Sequence, residues 1–227
     1  MPNPVSEGLQ EARRVRAKLG VDSLQAIDPG VVARRLGLQV VRRRLRAAPL
    51  SGIHMYDEEL GKHLILVNSG QPALRQRFTL AHEIGHARFD RETIVEDVEN
   101  LESTPQEKRA NAFASELLLP EAAVKRWQPH APWGTDIDDV ARLALAFGVS
   151  LQVAAWKLHN VKLVPDARAL IDRSVEVALK LRSRLREPGD NETEYPTEYV
   201  ELVKDGVARE LISRGRAAEL LAQDEDL

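Results

Sequence analysis

The sequence contains no cysteine, which excludes disulfide bonds and cysteine-ligated metals. Any bound metal must therefore be held by histidine, aspartate or glutamate. The sequence also lacks an apolar run near the roughly 18 to 20 residues that span a membrane. Residues 1–20 lack the apolar stretch of a secretion signal. We therefore expect a cytoplasmic protein with no membrane partner.

Aromatic residues are scarce, at 4% of the chain, but the hydrophobic content of 43% and the charged content of 30% are typical of a soluble globular protein. The net charge of −3 is unevenly distributed. Residues 1–50 have ten basic and four acidic side chains, whereas residues 190–227 have four basic and eleven acidic side chains. This asymmetry indicates either two solvated faces that attract each other, or a basic patch that meets nucleic acid or an acidic partner.

The pattern of apolar residues predicts a small sheet followed by helices. Strands are predicted where β-branched and apolar residues cluster, at 38–45, 51–57 and 63–68. Helices are predicted where apolar residues recur every three or four positions: 6–19, 29–37, from Pro72 to Phe89, from Pro105 to Pro120, two between 136 and 164, 165–185 and 197–222. The acidic segment 91–104 is assigned to a surface loop and the polar segment 187–196 to a linker.

The segment RFTLAHEIGHARFD (77–90) contains two histidines four residues apart, with a glutamate directly after the first. Residues four apart share a helix face, so the imidazoles of His82 and His86 can bind one ion. Glu83 lies about 100° around the helix, at the rim of the site, where a carboxylate can act as base toward a metal-bound water. The alternative is an ordinary helix with two surface or core histidines.

The next long helix offers a third ligand in EKRAN (107–111). Catalytic zinc sites have three protein ligands and one open position. Glu107 supplies a carboxylate, and Asn111, on the same helix face, supplies an amide that can orient a ligand histidine from outside the ligand group. Two alternatives stay open: Glu107 is a surface carboxylate in a first helical turn, or Glu102 in the preceding loop is the ligand.

Three segments in combination resemble the ImmA/IrrE family of metallo-endopeptidases, which is gluzincin-like: HLILVN, RFTLAHEIGH and ANAFASELLLP. The resemblance implies one zinc ion per chain, held by His82, His86 and Glu107, with Glu83 as the general base. It also implies a cytosolic peptidase that cleaves a helix-turn-helix repressor and thereby relieves repression after stress or phage challenge. At one position the chain departs from the family, because Arg109 replaces an acidic residue that many members have, and this removes an alternative ligand.

The resemblance extends over residues 25–125 strongly and over 136–164 more loosely. We predict an α+β fold, in which a small, mostly antiparallel three-stranded sheet packs on zincin-type helices and a helical, helix-turn-helix-like region follows. The predicted units are a zincin-like metallopeptidase domain (1–125), a helical region (126–186), and a linker with a helical C-terminal tail (187–227).

The motifs do not define the donor that stabilises the oxyanion, nor the metal, since sites of two histidines and a glutamate also accept other divalent ions. Candidate donors are His54, Tyr56 and His159, with His63 beside them, and each also suits a structural or surface position. The strand 63–68 precedes the motif helix, and we expect it to hold an extended substrate by strand addition.

Two other functions are weighed against the endopeptidase. The first is a non-cleaving zinc-bearing protein that sequesters or senses a transcriptional regulator; Glu83 disfavours it, because a scaffold needs no base. The second is a DNA-binding regulator, because LALAFGVSLQVAAWKL (143–158) has a helix-turn-helix rhythm. Its second helix is mostly apolar, which favours packing or partner contact over base reading. Nucleic acid is retained only as an activating ligand, for which VVRRRLR (40–46) is the candidate segment.

Overall fold

The computed structural model describes residues 3–45, 50–91, 94–97, 104–127, 136–172 and 197–209. Within these ranges the chain forms a mixed sheet and a larger set of helices, and the predicted α+β class is confirmed. None of the helices in these ranges is long and apolar enough to cross a membrane.

Nine helices lie in the described ranges, and they are numbered here in chain order: α1 (Pro4–Lys18), α2 (Pro29–Arg35), α3 (Ala73–Phe89), α4 (Pro105–Leu118), α5 (Glu121–Arg126), α6 (Ile137–Phe147), α7 (Leu151–Asn160), α8 (Ala167–Asp172) and α9 (Thr197–Ala208). Several begin where the sequence supplies a cap. Asp28 accepts a hydrogen bond from the backbone of Gly30 ahead of α2, and Thr104 accepts one from Glu107 ahead of α4. A proline in the first turn fixes the backbone at both starts.

Four strands form one sheet in the order β1-β3-β2-β4: β1 (Gln39–Arg43), β2 (Leu50–Asp57), β3 (Lys62–Asn68) and β4 (Ile94–Asp97). β2 pairs antiparallel with both β3 and β4, whereas β1 pairs parallel with β3. The sheet is therefore mostly antiparallel, as predicted. Because β3 is bonded on both sides, the prediction that residues 63–68 hold a peptide by strand addition is wrong.

The sheet has one strand more than predicted, because β4 lies inside the acidic segment that the sequence assigns to a loop. The short helix α5 after Pro120 is also additional. Other predictions fall on parts of the chain outside the described residues: Glu102 as a ligand, the later part of the helix at 165–185, the linker at 187–196, and the tail beyond 209.

Helix α4 packs between α1 and α3. The apolar side of α4 is fully or almost fully buried at Ala110, Phe113, Ala114 and Leu117. On α1, a Cβ at Gly8 would lie 2.2 Å from the carbonyl oxygen of Arg109, so the two backbones can approach only because position 8 has no side chain. This packing fixes α4 next to α3, which bears the histidine motif.

A buried ion-pair network joins α4 to the helical region that follows. The Glu116 side chain is 2% exposed and accepts hydrogen bonds from Lys157 Nζ on α7 at 2.5 Å and from Arg13 Nε on α1 at 2.8 Å. The Lys157 side chain is itself only 5% exposed. A buried carboxylate that loses its cation strongly destabilises the folded state. The ion pair between Glu116 and Lys157 therefore holds α7 against the core.

Replacing Lys157 with methionine tests this contact. We expect Lys157→Met to lower the free energy of unfolding by about 3 kcal/mol, because it leaves Glu116 buried with one cation fewer. Urea denaturation gives the measurement. The exposed pair of Lys204 and Glu201 provides the control: both side chains are more than 60% exposed, so Lys204→Met should leave stability nearly unchanged. Equal effects of the two substitutions would contradict the assignment.

Candidate metal centre

The two histidines of the motif point at each other on α3. His82 and His86 have no solvent exposure, and their Nε2 atoms lie 2.9 Å apart. The helix brings them together because residues four apart lie on one face. Two buried imidazole nitrogens at this distance are stable only with a proton or a cation between them.

Glu107, in the first turn of α4, completes the group. Its Oε2 atom lies 3.1 Å from His82 Nε2, and its Oε1 atom lies 3.3 Å from His86 Nε2. Zinc bonds of about 2.0–2.1 Å would place the ligand atoms of a tetrahedral site about 3.3 Å apart. The observed separations are close to this value. Among the described residues, this is the one group of three such donors that converges closely enough to hold an ion, and the donor set fits zinc.

The charges of these groups depend on one another. Burial favours a higher pKa for Glu107, but its interactions with His82 and His86 outweigh this effect and lower the pKa to about 2. Burial favours a lower pKa for His86, but its hydrogen bonds with Asp90 and Glu107 raise the pKa to about 9. A metal ion that binds at His86 Nε2 must therefore compete with the proton that Asp90 and Glu107 favour on His86.

Each histidine has a partner for its other ring nitrogen. His82 Nδ1 lies 3.0 Å from Asn111 Oδ1, at the residue predicted for this contact. His86 Nδ1 lies 2.9 Å from Asp90 Oδ2. Such partners hold the proton on Nδ1 and leave Nε2 for the metal. Asp90 was not predicted, although its position four residues after His86, at the C-cap of α3, is a signal that identifies it.

Glu83 lies beside the ligand group and under strand β2. Its side chain is fully buried, and it is not one of the three converging donors. A Cβ at position 52 of β2 would lie 2.5 Å from Glu83 Oε1. Gly52 therefore leaves the space that the carboxylate occupies, a role that the sequence patterns do not predict.

The structure separates the candidate oxyanion donors. The ring of His54, on β2, lies 6.4 Å from the ring of His86 between centroids. His54 Nε2 lies 2.8 Å from His63 Nδ1, and the Tyr56 ring lies 4.7 Å from the His63 ring. His159 lies instead on α7, and none of its described contacts is with the ligand group. The structure brings His54 close to the centre, with Tyr56 beyond it, and their donor roles stay predictions.

The arrangement is typical of zincin-type metallopeptidases, which have two histidines four apart on one helix, a glutamate from a second helix, and a carboxylate beside the first histidine. Residues 33–159, more than half of the chain, match the sequence profile of the M78 peptidases, described as the IrrE N-terminal-like domain. The chain therefore belongs to this family.

The chain is also similar to a curated protein, the radiation response metalloprotease IrrE of Deinococcus radiodurans. The two are 33% identical over 111 residues, which cover 45% of this chain and 33% of the relative. The chain thus spans about a third of the length of that relative. The likeness supports a metallopeptidase domain and the predicted ImmA/IrrE resemblance.

Replacing Glu107 with alanine tests the third ligand. We expect Glu107→Ala protein to lose bound zinc, because two histidines alone leave the site one protein ligand short. Metal content after dialysis gives the measurement. Glu11→Ala is a matched control, since the Glu11 side chain is 13% exposed and that of Glu107 is 12% exposed. Zinc retained at the wild-type level by Glu107→Ala would rule out this ligand.

Proposed function

We propose that the protein is a zinc-dependent endopeptidase, with His82, His86 and Glu107 as metal ligands and Glu83 as general base. The buried carboxylate next to three converging donors is the observation that supports this function most directly. When bound, a zinc ion acidifies a water molecule and polarises the peptide carbonyl.

Glu83 then performs the proton transfers. Its carboxylate accepts a proton from the attacking water as the new carbon–oxygen bond forms, and gives that proton to the amine nitrogen as the peptide carbon–nitrogen bond breaks. The position under β2 suits this role, because Gly52 leaves room for the carboxylate and neighbouring side chains exclude bulk water. His54, close to His86, is the better placed of the candidate oxyanion donors.

We infer that the substrate binds in extended form along β4. This strand pairs with β2 on one side, and no strand in the described ranges pairs with its other side. A peptide can therefore add to the sheet through main-chain hydrogen bonds. β2 passes over Glu83, so β4 lies between such a peptide and the strand above the catalytic carboxylate.

Replacing Glu83 with glutamine tests the enzyme directly. We expect Glu83→Gln to bind zinc like the wild type and to lose at least about a hundredfold in cleavage rate, since general-base catalysis contributes about that factor or more. Glutamine keeps the shape of the side chain and removes the base. Peptide cleavage and zinc content are measured on the same samples. Undiminished cleavage would exclude Glu83 as the base.

We further propose that the substrate is a helix-turn-helix repressor in the cytoplasm, cleaved in a stress or phage-defence response. The support is the resemblance to the ImmA/IrrE family and the name of the similar protein, a radiation response metalloprotease. Direct DNA binding is disfavoured, because Lys157, a cation on the second helix of the helix-turn-helix-like pair, is buried against Glu116.

Co-expression with a helix-turn-helix repressor encoded next to this protein tests the substrate. We expect repressor fragments with the wild-type protein and intact repressor with Glu83→Gln, measured by mass spectrometry. Because the variant keeps the fold and the ligands, it also separates cleavage from sequestration. Equal loss of repressor activity with both proteins, without fragments, would favour the non-cleaving zinc-bearing binder.

A further inference from the structure

Arg109 lies on α4 between the ligand Glu107 and the amide of Asn111, yet its side chain goes to neither histidine. Its Nη2 atom donates to Asp90 Oδ1 at 2.5 Å. The second oxygen of the same carboxylate, Oδ2, lies 2.9 Å from His86 Nδ1. A continuous chain of contacts thus runs from Arg109 through Asp90 to a ligand histidine.

Arg109 is itself held in place from two sides. Its guanidinium carbon lies 4.4 Å from the centre of the Phe89 ring, a cation–π distance. Its Nη1 atom lies 3.5 Å from Glu7 Oε2 on α1, and the side chain is only 20% exposed. These contacts therefore hold the guanidinium between α1, α3 and α4.

The two histidines differ in what holds them. His82 is oriented by the neutral amide of Asn111, which needs no counter-charge. His86 is oriented by the carboxylate of Asp90, whose side chain is 11% exposed. The ionised form of a largely buried carboxylate is energetically costly without a neighbouring cation. Without a second contact as an anchor, the carboxylate can also rotate. Arg109 supplies both the cation and the anchor.

We propose that Arg109 is a positioning residue for the metal centre, and that it acts through Asp90 to direct His86 Nε2 toward the ion. The backbone supports the same geometry, because the Asp90 N–H donates to the His86 carbonyl at 2.7 Å. The inference rests on the proposed metal ligands. The inference assigns to Arg109 the positioning of Asp90 and His86. From the sequence, position 109 showed only the absence of a possible acidic ligand.

Zinc affinity of the purified full-length protein tests the proposal, measured by competition with a chromophoric chelator. We expect Arg109→Met, which keeps an apolar stem over Phe89, to weaken zinc binding about tenfold, the lower end of the effect of outer partners of metal ligands. The cobalt-substituted variant should show shifted ligand-field bands, because the His86 ring is no longer fixed. Arg109→Lys, which keeps the charge, should recover part of the affinity.

Arg88→Met is the matched control, since Arg88 on α3 also pairs with a carboxylate of α1, Glu11, at 2.9 Å, without contacting either histidine. It should bind zinc like the wild type. A double-mutant cycle decides whether Arg109 acts through Asp90. In an Asp90→Asn background, Arg109→Met should cause no further loss of affinity, because the intermediate group is already altered.

A folded Arg109→Met protein with the zinc affinity and cobalt spectrum of the wild type would overturn the proposal. Losses of zinc affinity that add in the double variant would also overturn it. Should Arg109→Met not fold, Asp90→Asn alone decides: unchanged affinity overturns the proposal and about tenfold weaker binding supports it. Because the readout is metal binding, the result is independent of peptide cleavage. A wild-type protein that binds zinc but cleaves nothing would count against the proposed function only.

Discussion

The close contact between α3 and α4 is the constraint on which the candidate metal centre depends. A Cβ at Gly85, which lies between His82 and His86 in the sequence, would lie 3.1 Å from Ala110 Cα and 3.2 Å from Phe113 Cδ1. The absence of a side chain at this position lets the backbone of α4 approach α3. Because the approach is close, the carboxylate of Glu107 reaches both histidines, and Asn111, one turn further along α4, reaches the Nδ1 atom of His82.

Electrostatics explains why such an arrangement suits a cation. Three carboxylates, those of Glu83, Asp90 and Glu107, lie in or beside a group with only two histidines. Burial without compensation would make each ionised form costly. Arg109 offsets Asp90, and a divalent ion between the Nε2 atoms and Glu107 would offset the remainder. The α7 helix is tied through Glu116 to α4, the helix that carries Glu107.

Much of the site could be predicted from local sequence rules. The spacing of four residues is enough to place His82 and His86 on one face, and the same rule pairs Glu107 with Asn111. The bounds of α4 follow from Pro105 in its first turn and from Pro120 just after its end. These features depend on geometry within one helix, which the sequence determines directly.

Features that depend on contacts between distant segments could not be predicted in this way. β4 has neither the length nor the alternation that marks a strand, and it forms because β2 offers an edge. The parallel pairing of β1 with β3, which closes the edge of β3, has no local signal. Gly52 and Arg109 likewise have recognisable roles only when the segment opposite them is known.

Anomalous diffraction at the zinc absorption edge, from crystals of the purified protein, tests the central claim most directly. The account predicts one peak per chain, within about 2.0–2.2 Å of the Nε2 atoms of His82 and His86 and of a carboxylate oxygen of Glu107, with Glu83 beside the ion but not bonded to it. A peak elsewhere, or zinc bound without Glu107, would contradict the account.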